Sequence, residues 1–221
     1  MSWTEAWRWL WGASPVLAEP VADPVHHTIF VVEIDGFASA GRTNMHRLTL
    51  RAGLYEVVQG ALVGSGVSWL DCYHADHGDG ILVLVPADYP KAVFSELVPV
   101  ALTALLAEHN RVHRLPERIR LRVALHAGEV SYDPYGRTGA AIVHTFRLLH
   151  SSVVRDALAN AAGDLAVIAS GWFYEEIIRH SPVSRPEWYR PVFVQEKETA
   201  AWGWIRLPGE RYGRSDDLAL G

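Results

Sequence analysis

The apolar positions of this chain fall in short blocks whose spacing changes along its length. Residues 28–34 read Thr-Ile-Phe-Val-Val-Glu-Ile and are closed by Asp35, Gly36 and Phe37, which predicts a buried strand ending in a turn. From Asn44 to Val63 the apolar residues Leu48, Leu50, Leu54, Val57, Val58 and Leu62 recur at three- and four-residue spacing, which predicts a helix. Residues 67–73 and 80–85 are apolar runs flanking Asp76-His77-Gly78-Asp79-Gly80, which predicts a hairpin turning at 77–80. A long helix is expected from Pro90, with proline in its first turn, to about His113. Residues 118–126 set Arg118, Arg120 and Arg122 against Ile119, Leu121 and Val123, the pattern of a half-exposed strand. Gly128 leads to a short extension and a loop with Pro134, Gly136 and Gly139. Helices at 139–150 and 152–161, a strand at 165–169, a helix at 171–179 and strands at 190–196 and 200–206 follow. The order predicts a mixed α/β (α+β) fold, a ferredoxin-like βαββαβ core with C-terminal α/β additions.

Three segments are expected: an extension at 1–25, one domain at 26–208 and a loose tail at 209–221. In the extension Trp3, Trp7 and Trp11 recur every fourth residue, one face of a short helix that would dock on its own domain or on a twin subunit. At 221 residues and 49% hydrophobic, the chain is long enough to bury a full core. A net charge of −5 argues against a general nucleic-acid binder. With no apolar run long enough to span a bilayer, no convincing signal peptide and a single cysteine, Cys72, the expectation is a cytoplasmic protein without membrane association. Nearly all basic residues are arginines; Lys91 and Lys197 are the only lysines.

The candidate chemistry starts at the end of the first strand. Side chains alternate faces along a strand, so Glu33 and Asp35 leave on the same side. Two adjacent carboxylates there repel and resist desolvation unless a cation or basic group offsets them, and Mg2+ or Mn2+ is the usual solution where phosphates are handled. A wet strand end that binds nothing is the alternative. In a ferredoxin-like core the first strand lies beside the central hairpin, so Glu33, Asp35 and Asp79 are able to converge on one cation. His74, Asp76, His77 and Asp79 also have the residue types of a zinc hydrolase, but a tight hairpin would splay them onto opposite faces. No phosphate-binding glycine loop of the GxxxxGK[ST] or GxGxxG kind occurs.

Four segments in order resemble the catalytic domain of class III nucleotidyl (adenylate and guanylate) cyclases. They are Phe30-Val-Val-Glu-Ile-Asp-Gly-Phe37, His77-Gly-Asp-Gly80, Leu121-Arg-Val-Ala-Leu-His-Ala-Gly-Glu129 and Gly139-Ala-Ala-Ile-Val-His-Thr-Phe-Arg-Leu148. The chain is also similar to small actinobacterial cyclase-like proteins and, less closely, to the pyrimidine cyclases of bacterial antiviral (anti-phage) defence. The resemblance implies attack of a ribose 3'-hydroxyl on the α-phosphate of a nucleoside triphosphate, releasing a 3',5'-cyclic nucleotide and pyrophosphate. It implies Mg2+ or Mn2+ on Glu33, Asp35 and Asp79, with Arg147 stabilising developing charge and Lys197, on a late strand, holding the triphosphate. It further implies a homodimer whose two sites combine metal ligands of one subunit with Arg147 of the other. Regulation is then expected from a protein partner, from the tryptophan helix or from expression.

The departures from that pattern are specific. The family's first metal aspartate falls on Glu33, its helix asparagine on Val143, and its purine-reading lysine and aspartate on Ala75 and Gly136. His144, on the same helix face as Arg147, is the candidate substitute for the asparagine. The base is then either read differently, as a pyrimidine in a pocket lined by Tyr73, Arg137 or Tyr135, or not read at all. The rival reading is a catalytically degenerate cyclase-fold module that binds nucleotide or dimerises in signalling.

Overall fold

The computed structural model describes residues 23–209. Residues 1–22 of the tryptophan-bearing extension and, apart from Gly209, the expected tail lie outside the described residues, and Val25, placed in the extension, opens the first strand. Eight strands form one sheet in the order β2-β3-β1-β4-β6-β8-β7, with β5 paired to β4. Strand β1 (Val25–Ile34) lies between β3 (Gly80–Pro86) and β4 (Leu121–Asp133), antiparallel to both. Both of its faces are covered, which is why its apolar run is continuous rather than alternating. Strand β2 (Tyr73–Asp76) pairs with the outer side of β3, so β2-β3-β1-β4 has the ferredoxin-like order. The additions β6 (Leu165–Ser170), β8 (Thr199–Arg206) and β7 (Arg190–Glu196) extend the sheet beyond β4, and β5 (Gly136–Thr138) closes a short arm with the end of β4.

Helices cover both faces. On one side α1 (Asn44–Gly64), α2 (Val93–Glu96) and α3 (Val98–Val112) pack over Phe30, Val32, Ile81, Val83, Val123 and Leu125. On the other, α4 (Ala140–His150) and α5 (Ser152–Asn160) pack over Ile29, Val31, Leu82, Ala124, Ile168 and Ile205. After β6 the chain makes a short helix α6 (Gly171–Phe173) that widens into a π-helical turn, Tyr174–Ile178. Thr43 caps α1 by accepting from His46 N–H, while the His46 ring bonds Thr43 N–H in return.

Several expected boundaries move, each for a local reason. The strand expected at 67–73 is instead a 3-10 turn, Trp69–Asp71, followed by β2, and Trp69 turns back to stack on His74 with ring centroids 4.3 Å apart. The single helix expected from Pro90 is two, because Pro99 cannot donate to a continuing helix and sits in the first turn of α3. The strand expected from Arg118 begins at Leu121, since a 3-10 turn at Leu115–Glu117 precedes it. Arg122 proves buried rather than half-exposed. Lys197 is not on a strand: with Glu198 it forms the two-residue turn between β7 and β8, at φ 51° in the left-handed region.

Candidate functional site

All the candidate residues on the sheet leave from the face covered by α4. Glu33 lies there because it follows Val31 at the strand period, and Asp35 follows Glu33. Gly80 stands opposite Glu33 in the β1–β3 register and makes room for it. A Cβ on Gly80 would lie 2.6 Å from Glu33 Cγ and 2.5 Å from Val32 O. The β2–β3 turn then delivers Asp79 beside the strand end, where Ile34 N–H donates to Asp79 O at 2.9 Å.

These carboxylates gather around two basic groups that sequence reasoning did not assign. Arg122 is the cross-strand neighbour of Glu33 on β4. Its Nη2 lies 3.4 Å from Glu33 Oε2, and its Nε lies 3.4 Å from Asp35 Oδ1, an ion pair without hydrogen-bond geometry. His150, at the end of α4, meets Glu33 Oε1 through Nε2 at 2.7 Å. Both oxygens of the buried Glu33 are thus engaged by protein. Asp79 makes no ion pair among the described residues. Burial, and next the charge of Glu33, push its carboxyl above the ordinary value, while its own N–H, Arg122 and His150 pull the other way. The signal for Arg122 was its place in the charged alternation of 118–122; its pairing with Glu33 depends on strand register. His150 depends on how α4 docks.

The expected metal cage is therefore not assembled by three carboxylates. Among the described residues no three His, Cys, Asp or Glu side chains form a group that could hold a metal ion. The donor set nevertheless suits a hard cation in part. Asp35 and Asp79 are oxygen donors not tied up as Glu33 is, and three carboxylates face one guanidinium and one imidazole. Mg2+ binds characteristically through one or two carboxylates, with substrate phosphates and water completing its shell. Asp35 and Asp79 fit that habit; Glu33 does not.

The other candidates form two further groups along the same face. Arg137, on β5, stacks its guanidinium over Tyr73 at 4.7 Å and over Tyr132 at 4.0 Å from the ring centroids. Its Nε is buried without a hydrogen-bond partner. Tyr135 does not join them: it stands at the tip of the arm, 97% exposed. Arg147 reaches the β7–β8 turn, donating from Nη2 to Glu198 Oε2 at 3.1 Å, so Arg147 and the Lys197 turn come together within one chain. His144 packs edge-on against His126 with centroids 4.9 Å apart, and burial lowers its pKa. Val143 is 51% exposed on the outer side of the helix. Among the described residues no ion pair links Arg147 to Glu33, Asp35 or Asp79.

No protein-family model and no curated protein matches the chain. Solved structures do match. The guanylyl cyclase Cya2 superposes with a TM-score of 0.60 at 17% identity, over 91% of this chain and 100% of that one. An adenylate/guanylate cyclase/hydrolase from Silicibacter pomeroyi gives 0.60 at 16% identity, over 84% and 98%. The adenylyl cyclase CyaB from P. aeruginosa gives 0.57 at 12% identity, over 86% and 98%. The fold is that of class III nucleotidyl cyclase domains. Among the described residues no helix is long and apolar enough to cross a membrane.

Proposed function

We propose that the protein is a nucleotidyl cyclase acting on a nucleoside triphosphate, with a pyrimidine as base. The observation that carries this reading is the under-neutralised carboxylate cluster at the end of β1, where burial and Glu33 hold the Asp79 carboxyl up and Arg122 supplies the nearest fixed positive charge. Asp35 and Asp79 would hold Mg2+ or Mn2+, and the ion, when bound, would supply the charge that neutralises the phosphates and eases loss of the hydroxyl proton. Glu33 instead anchors Arg122 and His150. Arg122, its guanidinium facing Glu33, Asp35 and the Leu149 carbonyl, would offset charge at the phosphates through its field rather than by a direct hydrogen bond. In the reaction the ribose 3'-oxygen bonds the α-phosphorus as the α–β bridging bond breaks. The hydroxyl proton passes to solvent and pyrophosphate leaves with the electron pair.

Arg147 would stabilise charge on the phosphates, with Lys197 beside it and Glu198 orienting the guanidinium. His144 stands in the turn of α4 before Arg147 and would help place it. Because Arg147 is paired to its own β7–β8 turn rather than to the carboxylates, a homodimer in which it serves the partner's cluster fits the arrangement. Mixing Asp79→Ala with Arg147→Ala subunits, each inactive alone, is expected to restore activity. The Tyr73–Arg137 stack would frame the base, Arg137 donating to a ring carbonyl.

Incubation with ATP, GTP, CTP and UTP, each with Mg2+ and Mn2+, followed by mass spectrometry, tests the proposal. A cyclic nucleotide and pyrophosphate are expected, from a pyrimidine triphosphate first. A folded protein that makes neither from any of the four overturns it. The exposed Val143, at the position of the expected asparagine, favours a second reading, a cyclase-fold module that binds nucleotide without turning it over. On that reading Asp79→Ala alters binding or stability alone.

A further inference from the structure

The β2–β3 turn carries more restraint than a four-residue turn needs. Its own backbone bond, His77 N–H to Gly80 O at 2.9 Å, closes it. Gly78 within it takes φ +88°, which suits glycine. Beyond this, Asp76 accepts from Gly78 N–H at 2.7 Å, from Tyr55 OH at 2.7 Å and from both arms of Arg51, at 3.1 and 2.5 Å. Arg51 also donates to Gly78 O. That carbonyl belongs to the peptide unit whose nitrogen is Asp79's. The next peptide unit is held too, since Asp79 O accepts from Ile34 N–H. Both peptide planes flanking Asp79 are therefore gripped, one by strand β1 and one by a guanidinium from helix α1.

We propose that Arg51 and Asp76 are positioning residues for Asp79, a clamp that transfers the placement of α1 to the carboxylate. The inference rests on the reading of Asp79 as a metal-binding carboxylate given above. Arg51 is needed for its fork: one arm spans Asp76 and the Gly78 carbonyl while the other stays on Asp76, a bidentate grip that lysine cannot reproduce. The pair is partly exposed, with side chains 31% and 39% accessible, so its contribution to global stability is small and its local effect is what matters.

The test uses the full chain with Asp76→Asn and, separately, Arg51→Lys. Two quantities are read: amide hydrogen exchange by NMR across 78–80 and across 29–33, and affinity for Mn2+ alone by electron paramagnetic resonance. The expected result is exchange at Gly78, Asp79 and Gly80 accelerated by ~10-fold or more while the β1 amides hold, as for a local opening. Mn2+ affinity falls about 10-fold, the scale of lost outer-shell support. Exchange that stays at the wild-type rate in both variants overturns the clamp. So does faster exchange with Mn2+ affinity unchanged. If the wild-type protein itself binds no Mn2+, the metal reading fails, and the clamp stands or falls on exchange at Asp79 alone.

Discussion

Acidification should destabilise this protein through one histidine. His126 lies on β4 under α4, with its Nδ1 2.8 Å from Ser170 Oγ. Ser170 Oγ already accepts from Phe173 N–H at 3.1 Å, so the hydroxyl hydrogen is free to turn to the imidazole, which accepts as a neutral ring. Protonation would put a charge in a partly buried place, beside His144 and His26 and near Trp172, with Glu129 engaged by His26. Burial first, then His144 and His26, lower the His126 pKa from 6.5 to about 4. A pKa depressed in the folded state means that the unfolded chain binds the proton more readily as pH falls. Stability is therefore complete above pH 6.5 and declines between there and about pH 4. The full span is worth on the order of 3 kcal/mol, of which about 2 kcal/mol is gone by pH 5. Urea denaturation followed by circular dichroism at several pH values from 7.5 to 5 measures it, on the wild type and on His126→Asn, which keeps a group near the serine but does not titrate. The difference between the two curves cancels titrating groups that do not interact with His126, such as His109, whose pKa burial lowers in the same direction. If wild type and variant lose stability in parallel over this range, the assignment is wrong.

Three other perturbations have clear expectations. Gly80→Ala would force a methyl to within 2.6 Å of Glu33 Cγ and 2.5 Å of a β1 carbonyl, so ~1–3 kcal/mol of stability should be lost. A urea midpoint equal to wild type would contradict that packing. Arg122→Met should cost ~3–5 kcal/mol, because Glu33, 8% exposed at its side chain, is left with His150 alone. A urea midpoint close to wild type would contradict the pairing of Glu33 with Arg122. Glu198→Gln should leave the urea midpoint unchanged, as its ion pair has one partner 82% exposed, and a clear shift would show that the β7–β8 turn depends on it.

The parts of the site that a local pattern encodes were readable before the structure. Glu33 and Asp35 share a face because strand period demands it, and Asp79 sits in a turn at 77–80 because Gly78 and Gly80 bracket it. The core order followed from the alternation of periods, and Tyr73 and Arg137 do meet. What stayed hidden depends on partners distant in sequence. Glu33 meets Arg122 only through the β1–β4 register, and His150 only through the docking of α4. The grip of Arg51 on the turn likewise joins residues 27 positions apart. Lys197 was expected on a late strand although it lies just past the one expected at 190–196, and no glycine or asparagine there marks the turn that its left-handed backbone makes.

Helix α4 presents His144, Arg147 and His150 at every third residue, each touching a different neighbour: His126 on β4, Glu198 of the β7–β8 turn, and Glu33 on β1. A roll or slide of α4 as a rigid rod would displace all three contacts together, which links the carboxylate end to the arginine end. A contact that shifts this helix anywhere along its eleven residues would act on the whole face as one throttle.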